Sequence, residues 1–317
     1  MKGRLTPYAL LLLMGAGWGV SLPLSKIAVS QGYRPLGLIF WQLVVSSTVL
    51  GVLMLATGRG LPRGRRAWGM CVAISLIGSV LPNSASYEAA RFLPAGILSI
   101  TLSMVPMLAF PMALGFRTDR FSAARLAGLA CGLIGVALIA LPQSSLPGAG
   151  MALYLPLGLI APAFYALESN VVAKWGTGGL DPIQILFGAS LVGLAFALPA
   201  ALVSGQFIDP RPPWGAPDAA VVLSAMVSAV VYASYVWLIG KAGSVFAAQV
   251  SYLVTAMGVL WSMVILHERY SGWVWLAFIV MLIGLALVRP RDETPLEALP
   301  ADACESDGIC QTSPEGI

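Results

Sequence analysis

Apolar runs alternate along the chain with short polar or Pro/Gly-rich breaks. The runs lie near 6–28, 35–56, 67–88, 94–115, 122–141, 153–174, 181–204, 217–240, 243–266 and 271–289. About 20 residues of α-helix cover the hydrocarbon core of a bilayer. Backbone amides in lipid need partners within their own segment or its closed neighbours, and continuous runs of this length meet that need as helices. A barrel would show strands of about ten residues with alternating polarity instead. The pattern therefore predicts an all-α integral membrane protein of ten transmembrane helices. It stops at the tail 291–317, which carries Asp292, Glu293, Glu297, Asp302, Glu305, Asp307 and Glu315 among few apolar residues and is expected to be disordered and cytoplasmic.

The pattern also repeats. DRFSAARLAGLACGLIGVALI (119–139) aligns without a gap on ERYSGWVWLAFIVMLIGLALV (268–288). Arg120 falls on Arg269, Ser122 on Ser271, Leu-Ile-Gly of 133–135 on 282–284, and Ala137-Leu138 on Ala286-Leu287. Two five-helix copies, 1–145 and 150–290, follow. Five is odd, so the second copy would enter the membrane upside down relative to the first. Inverted repeats of this kind recur in secondary transporters, whose substrate site lies near mid-membrane between the halves.

Composition agrees. Of 317 residues, 58% are hydrophobic and 10% charged, with a mean hydropathy of +0.85; a soluble chain carries about 25% charged residues. The runs span the whole length, so neither a cleaved leader nor a single anchor describes the protein. With both termini inside the cell, only Lys26, Arg34, Arg91, Arg211 and Arg269 of the 18 Lys and Arg residues fall outside, and GRGLPRGRR (58–66) is the richest inner loop. That is the positive-inside bias. The net charge of +4 thus reflects topology, and no basic patch with interleaved aromatics suggests nucleic acid. Cys71 and Cys131 sit in apolar runs as packing residues. Cys304 and Cys310 fall in the tail, where cytoplasmic thiols stay reduced. No metal or cofactor is expected.

Four stretches carry a family resemblance: GWGVSLPLSK (17–26), YEAARFLPAG (87–96), LSMVP (102–106) and LHERYSGWVWLAF (266–278). In order and spacing they are similar to the motifs of EamA-type members of the drug/metabolite transporter superfamily, over about residues 6–289. The resemblance implies a ten-helix inverted-repeat carrier in the cell (inner) membrane with both termini cytoplasmic, moving amino acids or other small polar metabolites, often outward. The family's Gly-Glu-Arg after the fourth helix stands here as Thr118-Asp119-Arg120, and after the ninth as His267-Glu268-Arg269. Both departures touch helix junctions rather than the helices.

The candidate chemistry is sparse. Glu168, with Ser169 and Asn170, lies well inside the sixth run, and Tyr165 shares its face. A charge at that depth faces a partner or a wet cavity; pairing with Lys174, within two turns, is the structural alternative. Trp18, too deep for an interfacial belt, either packs or lines the cavity, and Asn83 and Tyr87 of the third run are further cavity candidates. Tyr232 and Tyr235, on one face of the eighth run, and Gln249 and Tyr252 of the ninth add aromatic and hydrogen-bonding groups. Lys26 is expected to snorkel to the headgroups, a cation facing the vestibule and attracting a substrate carboxylate being the alternative, and Glu88 to pair with Arg91 at the outer surface. Gly15, Gly17 and Gly19 are read as one small-residue stripe that admits a close neighbour. Pro23, Pro106, Pro111 and Pro162 are hinge or kink candidates.

An intramembrane enzyme is disfavoured, because the sole histidine, His267, sits at a junction and no HExxH, GxSxG or paired-aspartate motif occurs. No Walker-type loop suggests an ATP-driven pump, and no charged ring or carbonyl loop suggests a channel. A secondary carrier exporting a small polar metabolite is the expectation, with import of a vitamin or nucleoside-like compound as the alternative. Its partners would be that solute and the lipid bilayer. Proton coupling would fall to Glu168, facilitated diffusion being the other option, and the sequence leaves the oligomeric state open.

Overall fold

The computed structural model describes residues 2–142, 144–148, 150–242 and 250–288. Gln249, the tail 291–317 with Cys304 and Cys310, and the side chains of Tyr235 and Trp237 lie outside the described parts. The apolar runs fold as helices: α1 (Lys2–Ser30), α2 (Pro35–Ala56), α3 (Arg65–Ile74), α4 (Leu81–Phe92), α5 (Ala95–Leu102), α6 (Met104–Phe116), α7 (Ala123–Ala140), α8 (Leu155–Trp175), α9 (Pro182–Val203), α10 (Ala216–Ala242), α11 (Val250–Leu266) and α12 (Gly272–Leu287). No strand occurs among the described residues. Seven helical segments are long and apolar enough to cross a membrane, α3–α4 and α5–α6 each counting as one, and three shorter apolar stretches cover Ala216–Tyr232, Val250–Leu266 and Gly272–Leu287.

Proline explains where helices start and where they loosen. Pro35 and Pro182 open α2 and α9, where a missing N–H costs nothing. Asp181 completes the start of α9: its carboxylate accepts from the Ile183 and Gln184 amides at 2.8 and 3.2 Å, while the Gln184 side chain accepts from the Asp181 amide at 3.2 Å. Between α3 and α4 the chain makes a wide π turn over Ser75–Val80. Pro82 has no N–H for the Gly78 carbonyl, one turn earlier, which is a physical cause for the local unwinding. The break at Ser103, between α5 and α6, stands in the same relation to Pro106, which cannot bond the Leu102 carbonyl. Pro23, Pro111 and Pro162 leave α1, α6 and α8 unbroken, so of the four hinge candidates only Pro106 coincides with a helix break.

The two halves of the chain interleave. Helix α1 packs on α10 and α11, and α8 packs on α4 and α6; α2 packs on α9 and α10, and α3 on α9; α5 packs on α11 and α7 on α12. Without a hydrophobic drive between helices in lipid, close backbone approach supplies the attraction. A Cβ at Gly19 would meet the Gly258 amide nitrogen at 2.8 Å. Gly17 does not share that contact: its Cβ would meet Val231 of α10 at 2.6 Å. Residues two apart in a helix point to different sides, so the expected single stripe is two faces, Gly15 and Gly19 toward α11 and Gly17 toward α10. Large apolar side chains such as Leu13, Val52, Leu55 and Val203 cover the outside.

Contacts between loops fix which junctions share an end. The Arg59 guanidinium is 3.0 Å from the Asp181 carboxylate, and the Gln184 side chain donates to the Gly60 carbonyl at 2.8 Å. The α2–α3 loop therefore lies beside the α8–α9 loop. At the opposite end of α2, the Tyr33 hydroxyl donates to Asp218 at 2.6 Å, the Leu36 amide to the Gln206 side chain at 3.1 Å, and the Trp41 indole to the Ile208 carbonyl at 2.9 Å. There the α1–α2 loop lies beside the α9–α10 loop.

Candidate functional site

Between these ends the helices leave a cavity of about 500 Å³, within the range of small-molecule sites. Its wall takes Trp18, Ser21 and Ser25 from α1, Gln42 and Ser46 from α2, and Gly78, Ser79, Asn83, Ser86 and Tyr87 from the third crossing. Tyr165 and Glu168 come from α8, Ser190 from α9, and Ser224, Ser228 and Tyr232 from α10. Every one of these helices is positioned by packing on the other half of the chain.

Glu168 is the single charged side chain on this wall among the described residues. It can approach the third crossing because that crossing has no side chain at Gly78: a Cβ there would collide with the Glu168 carboxylate. Among the described residues Glu168 makes no hydrogen bond or ion pair, the ion pairs being Arg59–Asp181, Arg91–Glu88, Arg125–Asp119 and Arg211–Asp209. Lys174 does not neutralise it. The Lys174 ammonium lies 5.2 and 5.1 Å from the ring centroids of Phe116 and Trp175, a cation–π arrangement at the end of α8. A carboxylate in the membrane without a protein cation faces water or a ligand.

A polar chain crosses the same cavity. The Tyr165 hydroxyl donates to Asn83 Oδ1 at 3.0 Å, Asn83 Nδ2 donates to Gln42 Oε1 at 3.5 Å, and the Tyr87 hydroxyl donates to the same oxygen at 2.7 Å. This network joins α8 to α4 and α2. On the other wall Ser21 and Ser228 place their hydroxyl oxygens 3.4 Å apart, and the rings of Trp18 and Tyr232 meet at 6.3 Å with a tilt of 57°. Ser46, Ser79, Ser86, Ser190 and Ser224 make no hydrogen bond among the described residues. Helical serines commonly bond a carbonyl one turn back; these five hydroxyls remain available to whatever occupies the cavity.

The structure thus brings together Trp18, Asn83, Tyr87, Tyr165, Glu168 and Tyr232. It does not place Tyr252 on the wall: that residue is partly buried against the main apolar core. Lys26 does not snorkel. Its ammonium donates to the Ala90 and Leu93 carbonyls at 2.5 and 3.0 Å, where the C-terminus of α4 presents unpaired acceptors and negative dipole charge. Across the same junction Glu268 accepts from the Ala95 and Gly96 amides at 2.8 and 3.1 Å, at the N-terminus of α5, and from the Tyr270 hydroxyl. Burial and that carboxylate push the Tyr270 phenol well up, holding it as a donor. The Glu88–Arg91 pair forms, at 2.6 Å.

Sequence reasoning missed Gln42, the serines and Gly78. The spacing Gly78–Pro82 was the available signal, since a proline four residues on leaves a carbonyl without its helical donor. The serines gave none, because neutral small residues in an apolar run read equally well as packing.

A model of the EamA-like transporter family matches the chain twice, over residues 5–141 and 152–289. An uncharacterized transporter of Bacillus subtilis (strain 168), YvbV, is 22% identical over 278 residues, which make up 87% of this chain and 89% of that protein. A solved crystal structure is similar in fold, with a TM-score of 0.60 at 19% identity, covering 94% of this chain and 99% of its own.

Proposed function

The chain belongs to the EamA-like transporter family, and on that premise we propose that it is a secondary carrier exporting a small polar metabolite of amino-acid size by alternating access. It is a multi-pass membrane protein. In this reading ten helices form two inverted five-helix units, 1–145 and 150–290, in the inner membrane with both termini cytoplasmic, and the tail 291–317 is disordered and cytoplasmic.

The observation that carries the reading is the polar cavity whose wall draws on both matched repeats, from Trp18 to Leu102 in one and from Tyr165 to Val254 in the other. Inversion is supported by the loops. The α1–α2 loop of the first unit corresponds to the α8–α9 loop of the second, yet the two sit at opposite ends of α2. The pairings support it too: exchanging α1 with α8, α2 with α9, α3–α4 with α10, α5–α6 with α11 and α7 with α12 maps the most extensive contacts between the halves onto one another. Cytoplasmic termini rest on the Lys/Arg bias.

The test is counterflow in liposomes holding purified protein, over a panel of labelled amino acids, amines and vitamins, with and without a pH gradient. Saturable exchange of any of these solutes is expected. Protein that is monodisperse and thermally stable yet exchanges none of them would sink the carrier reading, and exchange running only inward would reverse the direction.

A further inference from the structure

We propose that the cavity selects an organic cation, with the Glu168 carboxylate as counter-ion to a cargo ammonium group and the Trp18–Tyr232 corner as its aromatic face. The inference rests on the carrier reading and narrows it to amines.

Three features of the wall lead there. The first is its charge. Glu168 is the one charged side chain that the described residues contribute, and no described cation pairs with it. Two lysines of cavity-lining helices, Lys26 on α1 and Lys174 on α8, are committed elsewhere, Lys26 to the Ala90 and Leu93 carbonyls and Lys174 to the faces of Phe116 and Trp175. A carboxylate on the cargo would therefore meet a like charge and, among the described residues, no partner of opposite sign.

The second feature is hydrogen-bond polarity. An ammonium group carries donors only and needs acceptors. Glu168 offers both carboxylate oxygens, and Ser46, Ser79, Ser86, Ser190 and Ser224 offer hydroxyl oxygens that no described residue uses. The third is the aromatic pair at 6.3 Å. Aromatic faces attract cations and stack on flat apolar bodies, which suits an amine with an aromatic or aliphatic part. A cavity of about 500 Å³ admits a molecule of that size. An amino acid offers the same ammonium but adds an anion that meets hydroxyl and amide donors yet no described cation on this wall, beside a carboxylate of like charge.

The test uses full-length protein in lipid nanodiscs and a set that shares one phenylethyl body and varies the charged or polar group on it: 2-phenylethylamine, phenylalanine, 3-phenylpropionate and the neutral 2-phenylethanol. Agmatine and putrescine extend the amines, and tetraethylammonium, a cation without an N–H donor, separates charge from hydrogen bonding. Binding is measured by calorimetry for wild type, Glu168→Gln and Glu168→Asp, each first shown to be monodisperse with an unchanged thermal transition. At least one amine is expected to bind about tenfold or more tighter than phenylalanine, and phenylpropionate not to compete. Glu168→Gln should weaken that amine by about tenfold or more, the scale of a lost charge-assisted hydrogen bond, and leave phenylethanol unchanged. Glu168→Asp, which keeps the charge, should restore most of the amine affinity.

Equal or tighter binding of phenylalanine, or amine affinity untouched in Glu168→Gln, overturns the inference. So does a Glu168→Gln protein that loses only pH-driven exchange while binding amines as before, since Glu168 would then serve the proton alone. Counterflow with the same set separates the two levels. Saturable exchange of phenylalanine or phenylpropionate without any amine overturns the cation inference and leaves the carrier standing, whereas no exchange of any solute in the wider panel removes both.

Discussion

Gly78 and Glu168 come from different halves of the chain, and neither position makes sense without the other. The carboxylate stands where a β-carbon of Gly78 would be, on a stretch of backbone already loosened by Pro82. A Gly78→Ala substitution must push α8 away or rotate Glu168 off the cavity wall, an overpacking cost of about 1–3 kcal/mol. Solute exchange is expected to fall at least about tenfold while the protein stays monodisperse on size exclusion; wild-type exchange rates would mean that Glu168 does not need this seat. At the end of the bundle Tyr33 offers a different check. Burial, then the Asp218 carboxylate that accepts its hydroxyl, push its phenol up to about 12 from an ordinary value of 10.0. The folded state thus favours the protonated phenol. The stability this contributes is complete below pH 10.0 and is lost as pH rises through about 12. Ultraviolet titration of wild type against Tyr33→Phe should show one phenol ionising near the upper value, and a difference spectrum centred at the ordinary value would contradict the contact.

Helix identity and approximate limits were legible from apolar run length alone, since lipid leaves a spanning segment few alternatives. Pairing was not. The run pattern says that Gly15, Gly17 and Gly19 are small but not which neighbour each one meets, which is Leu253 for Gly15, Val231 for Gly17 and Gly258 for Gly19. In the same way Lys26 looked like a headgroup anchor because its acceptors, the last carbonyls of α4, become unpaired only when Leu93 and Pro94 end that helix. Six residues of the wall could be found by depth and chemistry, Glu168, Tyr165 and Asn83 among them; the serines could not, since their role depends on facing a void. The glycine contacts make a paired test of the packing. Gly19→Ala sets a methyl 2.8 Å from the Gly258 amide nitrogen, where backbone must move, and should lower stability by about 1–3 kcal/mol. Gly69→Ala in α3 meets nothing within 4 Å and should be neutral or stabilising by up to about 1 kcal/mol, the difference in helix propensity. Thermal unfolding in one detergent would compare them, and equal losses would mean that α1 and α11 do not touch as closely as described.

At the scale of the whole molecule, contacts between the halves tie the bundle together at both ends. One end holds Arg59–Asp181, Gln184 on the Gly60 carbonyl and Arg66 on the Trp175 carbonyl at 3.4 Å; the other holds Tyr33–Asp218, Gln206 on the Leu36 amide and Trp41 on the Ile208 carbonyl. Alternating access around a fixed central site requires one set to open while the other stays shut. The two sets are therefore expected to exclude each other's opening, and fixing either should stop turnover without altering the cavity. Paired cysteines at Arg59 and Asp181, or at Tyr33 and Asp218, in a chain whose own Cys71, Cys131, Cys304 and Cys310 are replaced, can be bridged by a short reducible bifunctional thiol reagent. Each bridge should cut exchange to below about a tenth of the unbridged rate, and reduction should return it. Each bridge should also leave ligand binding intact from the side that remains free to open, so the two bridged proteins should bind from opposite faces of the membrane. Bridges that leave exchange untouched at both ends would require a path that bypasses these contacts, and a bridge that abolishes binding from both faces would place the site at that end rather than between the halves.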